Sequence, residues 1–197
     1  TRKSAAAILR SIDKLYMFKF NPEEFISKVV KIINEEKATT IVEHISYNTI
    51  DGKYDDNIFT AEKNSQSFDK AFVAKKAIQD YVFTDGYAEE STEKRFAKSL
   101  DIADEVCVYA KLPKAFHIPT PVGNYSPDWA IAFKEGSVKH IYFIAETKGT
   151  MDSIELRGIE KAKTDCAKVL YNKLSTSKVR YDVVNCYEKL LDIVNKD

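Results

Sequence analysis

Two apolar runs joined by a short turn decide the fold of this chain, and both lie in PTPVGNYSPDWAIAFKEGSVKHIYFIAETKG, residues 119–149. The first run, Trp129–Phe133, follows a Ser-Pro turn signal, and the second, Val138–Ala145, follows a Glu-Gly turn signal. Runs of this length that are rich in β-branched, aromatic and small residues are typical of strands covered on both faces. Because the link between them is short, we expect the two strands to form a hairpin within a larger sheet.

Charged residues are expected to meet at one end of this hairpin. Asp128 begins the first strand, so antiparallel pairing places it across from Glu146 and Lys148 at the end of the second. Glu146 and Lys148 are two residues apart and point to one face, whereas Thr147 points to the other. Carboxylates are ligands for Mg²⁺, and a nearby ammonium can orient a water or help to deprotonate it. The pattern indicates a metal site for phosphodiester hydrolysis.

The same three residues have an ordinary structural interpretation. A Pro-Asp pair is common in turns, and Glu-x-Lys on a strand is often an exposed ion pair that contributes about 0–1 kcal/mol. Asp128 and Glu146 both adjoin apolar strands, however, where an unpaired carboxylate is costly. That position favours a partner such as a metal ion.

A family resemblance supports the metal interpretation. The segments Pro119–Ala130 and Ala145–Gly149 resemble the C-terminal endonuclease domain of the Res subunit of type III restriction enzymes, a member of the PD-(D/E)XK nuclease superfamily. The likeness extends back to EHISYN, residues 43–48, and forward to LRGIEKAK, residues 156–163. The resemblance implies that Asp128 and Glu146 bind a divalent metal and that Lys148 completes the catalytic site.

The resemblance also implies substrates, cofactors and partners. It predicts a type III site-specific deoxyribonuclease that cleaves double-stranded DNA with Mg²⁺, or with Mn²⁺ in its place. The expected partners are an ATP-dependent translocase region of the same polypeptide and a separate modification (methyltransferase) subunit. The sequence has no G-x-x-x-x-G-K-[ST] phosphate loop, so we expect no ATP site in this chain.

Two other functions remain open from the sequence. One is a resolvase-like or repair nuclease of the same superfamily that acts without partners. The other is a non-catalytic docking module in which Asp128, Glu146 and Lys148 form a structural ion-pair cluster.

A fourth acidic residue is a candidate ligand because of its place on a helix. Ser91 or Thr92 can cap a helix whose apolar face contains Phe96, Ala97 and Leu100, and Glu93 falls on that face. A carboxylate in a first turn also interacts favourably with the helix dipole, which is the structural alternative. Superfamily members often contribute such a helix Glu to the site, so the resemblance implies an auxiliary metal ligand.

Basic residues are concentrated after the acidic motif. Residues 157–180 contain seven Lys or Arg and two acids, which suits contact with a phosphate backbone. Arg157, Lys161 and Lys163 are the candidate DNA contacts, with Lys163 nearest the inner face of a helix predicted over Ile154–Leu174. Alternatively, these lysines form a solvated helix face with acidic neighbours.

The order of predicted elements places the chain in the α/β class, with a mixed central sheet flanked by helices and a restriction-endonuclease-like core. An N-terminal helical and β-hairpin segment is expected over residues 1–84, and the nuclease core over residues 85–197. In the first part we predict helices in 1–20, from Asn21 to about Glu36, and over Lys70–Tyr81, with strands Thr39–Ile50 and Lys53–Thr60 around Asp51-Gly52. In the second part, outside the hairpin, we predict strands Glu105–Lys111 and Val179–Val184 and a last helix Tyr187–Val194.

Composition limits the cellular setting. The 197 residues are 44% hydrophobic and carry 30 basic and 30 acidic side chains, so the chain has no general positive charge for holding nucleic acid. Three widely spaced cysteines suit reduced thiols, and no signal peptide or stretch of about 20 apolar residues is evident. We expect a cytoplasmic protein without membrane contact. The start at Thr1 rather than Met suggests an excised or processed fragment.

Overall fold

The computed structural model describes residues 2–13, 16–42, 45–48, 55–59, 71–84, 91–138, 142–147, 158–174 and 179–196. The helices in these ranges are α1 (Arg2–Arg10), α2 (Met17–Phe20), α3 (Pro22–Val42), α4 (Thr92–Ile102), α5 (Gly158–Leu174) and α6 (Tyr187–Val194), with a 3₁₀ turn at Asp56–Phe59. The strands are β1 (Ala71–Val73), β2 (Tyr81–Phe83), β3 (Val106–Lys111), β4 (Trp129–Phe133), β5 (Tyr142–Thr147) and β6 (Val179–Val184).

Four strands form one mixed sheet in the order β3-β4-β5-β6. β3 and β5 are each antiparallel to β4, and β6 runs parallel to β5. A parallel neighbour requires a crossover, and α5 supplies it between β5 and β6. The predicted hairpin of the two apolar runs and the predicted mixed sheet flanked by helices are therefore confirmed.

The sheet separates two apolar clusters. On one face, α4 and α6 contribute Phe96, Leu100 and Leu190 to a core that includes Trp129 at 0% exposure. On the other face, α5 contributes Ala167 and Tyr171 to a smaller cluster. The predicted apolar face of α4 is buried, as its periodicity predicts. Its four residues are Glu93, Phe96, Ala97 and Leu100. The candidate site lies at one end of this sheet, where β4 begins and β5 ends.

The helix predicted over Lys70–Tyr81 is wrong for residues 71–81, the part of it that the structure describes. β1 and β2 pair as antiparallel strands, and the bend between them is bonded to other elements. The Asp101 carboxylate accepts the backbone N–H groups of Lys75 and Lys76 at 2.8 and 2.9 Å, and Ile78 N donates to Tyr109 O at 2.9 Å. These backbone donors are therefore bonded to α4 and β3, so tertiary contacts outweigh the local helical pattern.

The strands predicted over 39–60 are also corrected where the structure describes them. α3 ends at Val42 rather than near Glu36, so Thr39 lies in a helix. Thr40 Oγ1 donates to Glu36 O at 3.0 Å, so its hydroxyl is satisfied within the helix. Asp56–Phe59 is a 3₁₀ turn. Asp55 Oδ1 accepts the backbone N–H of Asn57, and Asp55 O accepts that of Ile58. The predicted Asp51-Gly52 turn lies outside the described residues.

The predicted start of α3 is confirmed in detail. Asn21 Oδ1 accepts the backbone N–H of Glu24 at 3.1 Å, and the Asn21 amide donates to the Glu24 carboxylate. This reciprocal cap satisfies a free donor at the first turn, which begins at Pro22.

The helix predicted within 1–20 is divided into α1 and α2. The division of the chain near residue 84 stays a prediction. No helix in the described parts is long and apolar enough to cross a membrane.

Candidate active site

The candidate site lies where β4 begins and β5 ends. Trp129 pairs with Ala145 in the antiparallel ladder, and Asp128 N donates to Ala145 O at 3.1 Å. Asp128 therefore lies beside the end of β5, whose last residues are Ala145, Glu146 and Thr147. The predicted placement of Asp128 across from the end of the second strand is confirmed.

The two oxygens of the Asp128 carboxylate have different roles. Oδ2 accepts two hydrogen bonds from Thr147, one from the backbone N and one from Oγ1, each at 2.7 Å. Oδ1 lies 3.6 Å from the Nζ of Lys111. Thr147 thus fixes the rotation of the carboxylate and directs Oδ1 toward a cation.

Lys111 joins Asp128 to Glu93. The ammonium forms an ion pair with Glu93 Oε1, and the Lys111 and Glu93 side chains are only 17% and 11% exposed. It also lies 4.9 Å from the ring centroid of Trp129, within range of a cation–π contact. The result is one cation shared by two largely buried carboxylates. We call Glu93, Lys111 and Asp128 the cation cluster.

Sequence reasoning missed Lys111, although a signal was present. Lys111 is the charged end of the apolar strand run VCVYAK, residues 106–111. A charge at the edge of an apolar strand is the same feature that selected Asp128 and Glu146. Its partner across the ladder is Trp129, so β3 brings it to the same end of the sheet as Asp128.

Glu93 reaches the cation cluster from the first turn of α4. Ser91 Oγ accepts the backbone N–H of Lys94 at 3.3 Å and caps the helix. This cap starts the helix at Thr92 and leaves Glu93 buried at 9% exposure, facing the sheet. The structure therefore brings together two of the predicted acidic ligands, Glu93 and Asp128.

Glu146 has a separate set of neighbours. Its Oε2 accepts a hydrogen bond from Tyr125 OH at 2.9 Å, and Tyr125 OH lies 2.6 Å from Tyr181 OH. A hydroxyl has one proton, so Tyr125 donates to Glu146 and Tyr181 donates to Tyr125. Burial raises the pKa of both phenols well above the ordinary value of 10.0. Tyr181 and Glu146 raise the pKa of Tyr125 further, whereas for Tyr181 the hydrogen bond with Tyr125 acts in the opposite direction and Glu146 raises the pKa. Both phenols therefore remain donors.

A tight loop holds Tyr125 in place. Ile118 and Tyr125 exchange two backbone hydrogen bonds, at 2.7 and 3.0 Å, around the PTPVGN segment. Gly123 closes that loop with φ +107°, a conformation that a side chain would strain. Lys163 of α5 donates to Asn124 O at 3.0 Å and fixes the loop to the helix. The sequence segment that carries the family resemblance thus positions the phenol that bonds to Glu146.

Lys111 and Glu146 point to opposite faces of the sheet. Lys111 shares the face of its ladder partner Trp129, which packs against α4. Glu146 follows the core residue Ala145, so it points to the opposite face, where Tyr125 and Tyr181 pack against α5. Asp128 lies at the strand start between these faces. Lys148 lies outside the described residues.

Comparison with known proteins identifies the family of this chain. Residues 75–187 match the family model described as "Endonuclease domain". The chain belongs to this endonuclease family. Over 106 residues it is 34% identical to the "Type III restriction-modification enzyme EcoP15I Res subunit" of Escherichia coli and 33% identical to the EcoPI Res subunit of Escherichia phage P1. Each match covers 53% of this chain and 11% of the relative, so the chain spans a small part of those proteins. No solved structure matches.

The resemblance to the endonuclease domain of type III Res subunits is thereby confirmed, and the chain is a nuclease domain. Its matched region begins at Lys75, in the bend that Asp101 holds, and includes the whole cation cluster. The family match extends to the start of α6. The site described above therefore lies within the part of the chain that defines the family.

The fit of the endonuclease site to a divalent metal is tested by its donor chemistry. Within the described ranges, no three His, Cys, Asp or Glu side chains are grouped as a metal site. Mg²⁺ is commonly held by one or two carboxylates together with waters and phosphate oxygens. Glu93 and Asp128 already share one cation, the Lys111 ammonium. Two carboxylates that converge on one point supply hard oxygen donors of the kind and number that Mg²⁺ takes from a protein.

The side chains predicted to contact DNA differ from one another in their surroundings. Lys161 is exposed on α5, and Lys163 donates to the Asn124 carbonyl. Arg157 lies outside the described residues. Lys168 of the same helix forms an ion pair with Asp182 at 3.1 Å. Contact of Lys161 or Lys163 with DNA stays a prediction.

Alkaline pH is expected to destabilise the endonuclease through its buried phenols. The pKa values of Tyr125 and Tyr181 are raised in the folded state, so the folded chain retains protons that the unfolded chain releases above about pH 10. Their contribution is complete below that pH and falls by about 1.4 kcal/mol per pH unit for each phenol above it. Urea unfolding followed from pH 7 to pH 11 should show a smaller loss in Tyr125→Phe. An identical slope in both proteins would contradict this interpretation.

Proposed function

We propose that this endonuclease domain hydrolyses phosphodiester bonds of double-stranded DNA with Mg²⁺, or with Mn²⁺ in its place, as part of a type III restriction complex. The observation that carries the proposal is the cation cluster at the end of the hairpin, in a chain of the endonuclease family. The names of the relatives supply the restriction context. The proposed partners are an ATP-dependent translocase region of the same polypeptide and a modification subunit.

The proposed metal ligands are Asp128 and Glu146, with Glu93 as an auxiliary ligand. Asp128 offers Oδ1, because Thr147 occupies Oδ2. Glu146 is held by Tyr125 at the adjacent strand end. The chemistry that Mg²⁺ supplies in such a site is neutralisation of charge on the scissile phosphate and a lower pKa for a bound water.

The chain's own residues orient and desolvate the site. Thr147 and Tyr125 each fix one carboxylate, so little rotational freedom is lost when a substrate is bound. Trp129 and Phe96 form an apolar, water-excluding surface on the core side of the cation cluster. This surface strengthens the charge interactions within the cluster. Lys148, as the third residue of the predicted motif, is proposed to orient the attacking water or to accept its proton. Lys161 and Lys163, with Arg157, are proposed to contact the DNA backbone.

Metal dependence is the direct test of this function. Plasmid DNA should be cleaved by the complex that contains this chain when Mg²⁺ is present and should remain intact when a chelator removes the metal. Calorimetry of the chain itself should show Mg²⁺ or Mn²⁺ binding that is lost when Asp128 and Glu146 are both replaced by amides. Absence of that binding would instead support a docking module. Vigorous cleavage by the chain alone, with preference for branched DNA, would support an independent nuclease.

A further inference from the structure

Lys111 occupies the position of a cation between two carboxylates. It contacts Glu93 directly and lies 3.6 Å from Asp128 Oδ1, while Thr147 saturates the other Asp128 oxygen. We propose that Lys111 is an internal counter-ion that holds this carboxylate pair before metal binds and that it competes with the divalent cation for Asp128 and Glu93. The inference rests on the proposed metal-dependent function.

Burial explains why an internal cation is needed. The side chains of Glu93 and Asp128 are 11% and 25% exposed, and two carboxylates in such a position repel each other strongly. The Lys111 ammonium offsets one of their two negative charges. The cation cluster can therefore form during folding, before any metal binds.

Charge also explains why a divalent cation can replace Lys111. The cation cluster carries one net negative charge, so it is still attractive to a cation. A divalent ion in place of the ammonium would neutralise both carboxylates. The Lys111 ammonium is itself buried, but it is attached to the end of β3 by a flexible four-carbon stem whose rotation can move it away from the carboxylates.

Competition makes a prediction that a purely structural lysine does not. A lysine that merely stabilises the ligands would weaken metal binding when removed, because the carboxylates would lose their arrangement. A competing lysine has the opposite effect, because its removal frees both carboxylates for the metal. The direction of the change in metal affinity therefore separates the two roles.

The test is calorimetric binding of Mn²⁺ and Mg²⁺ to the whole chain. Lys111→Met keeps the apolar stem and removes the charge, and it should lower the dissociation constant by about tenfold. Lys111→Arg retains a cation and should restore an affinity close to that of wild type. Lys114→Met removes a charge from an exposed neighbour and controls for the change in net charge. An unchanged or higher dissociation constant in Lys111→Met would overturn the proposal.

A measurement on the wild-type chain covers the case in which Lys111→Met does not fold. In a chain with ¹³C-labelled lysine, the Lys111 Cε resonance is assigned by its absence from Lys111→Arg. Saturating Mg²⁺ should shift that resonance, whereas a Lys111 signal that is unaffected by bound Mg²⁺ would refute displacement.

The same experiments separate this proposal from the function on which it rests. If neither the wild type nor Lys111→Met binds Mg²⁺ or Mn²⁺, the metal-dependent function fails and the competition fails with it. If the wild type binds metal through Asp128 and Lys111→Met binds it no more tightly, only the competition is wrong.

Discussion

Replacement of Asp128 by Asn should reduce Mg²⁺-dependent DNA cleavage by about 100-fold to 1,000-fold, because in the proposed function several kcal/mol of charge stabilisation depend on this carboxylate. The amide can still accept the two Thr147 hydrogen bonds through its oxygen. Its NH₂ group then faces Lys111 and the cation position, where only an acceptor is useful. The fold should therefore survive while metal binding is lost.

Three measurements on Asp128→Asn distinguish a site effect from misfolding. Cleavage is assayed with the complex that contains the chain, metal binding by calorimetry, and folding by thermal unfolding of the chain. Asp192→Asn makes the same chemical change on the exposed side of α6 and should leave all three unchanged. Full cleavage by Asp128→Asn would remove this residue from the catalytic site.

The core of the fold was predictable because local pattern and tertiary contact agree there. Val179–Val184 and Tyr187–Val194 have the bounds that their apolar periodicity indicates. The hairpin of β4 and β5 likewise follows from continuous apolar runs with a short turn between them. In these segments the buried face, the turn residues and the final pairing all favour one structure.

The segment over 71–81 was mispredicted because its structure depends on a distant carboxylate. Its sequence has a helical pattern, and nothing within it indicates that Asp101 binds the N–H groups of Lys75 and Lys76. Asp101 itself is 9% exposed and also accepts Tyr109 OH at 3.2 Å. A bend fixed by contacts 25 or more residues away is not encoded in local propensity.

Only part of the candidate site was predictable, because local patterns do not contain the contacts between distant elements. Strand pairing places Asp128 at the end of β5, and helix periodicity places Glu93 toward the sheet. The ion pair between Glu93 and Lys111 required the relative position of α4 and β3, which neither pattern contains. The bond from Tyr125 to Glu146 depends on how the Ile118–Tyr125 loop folds over α5. The sequence therefore predicted where Asp128 and Glu93 lie but not the groups that hold them.

Trp129 links the core to the site, so its removal should have a large effect on both. Its ring is fully buried between Phe96 and Tyr109, at centroid distances of 6.1 Å from each. Its indole N–H donates to Thr147 Oγ1 at 3.4 Å, and Lys111 lies over its face. Trp129→Ala leaves a cavity under the cation cluster and should cost about 3–5 kcal/mol of unfolding free energy.

Denaturant unfolding followed by far-ultraviolet circular dichroism measures the cost of Trp129→Ala without relying on the chain's single tryptophan. Tyr142→Ala is the matched control, since this aromatic residue lies on β5 of the same sheet but is 49% exposed, and it should cost well under half as much. Equal losses would show that the Trp129 ring is not a principal core contact. Trp129→Phe keeps an apolar ring but removes the donor to Thr147, so it should lose less stability than Trp129→Ala while still weakening metal binding through Asp128. That combination is expected only if the residue that fills the core also orients the ligand, because the Thr147 hydroxyl bonds to both.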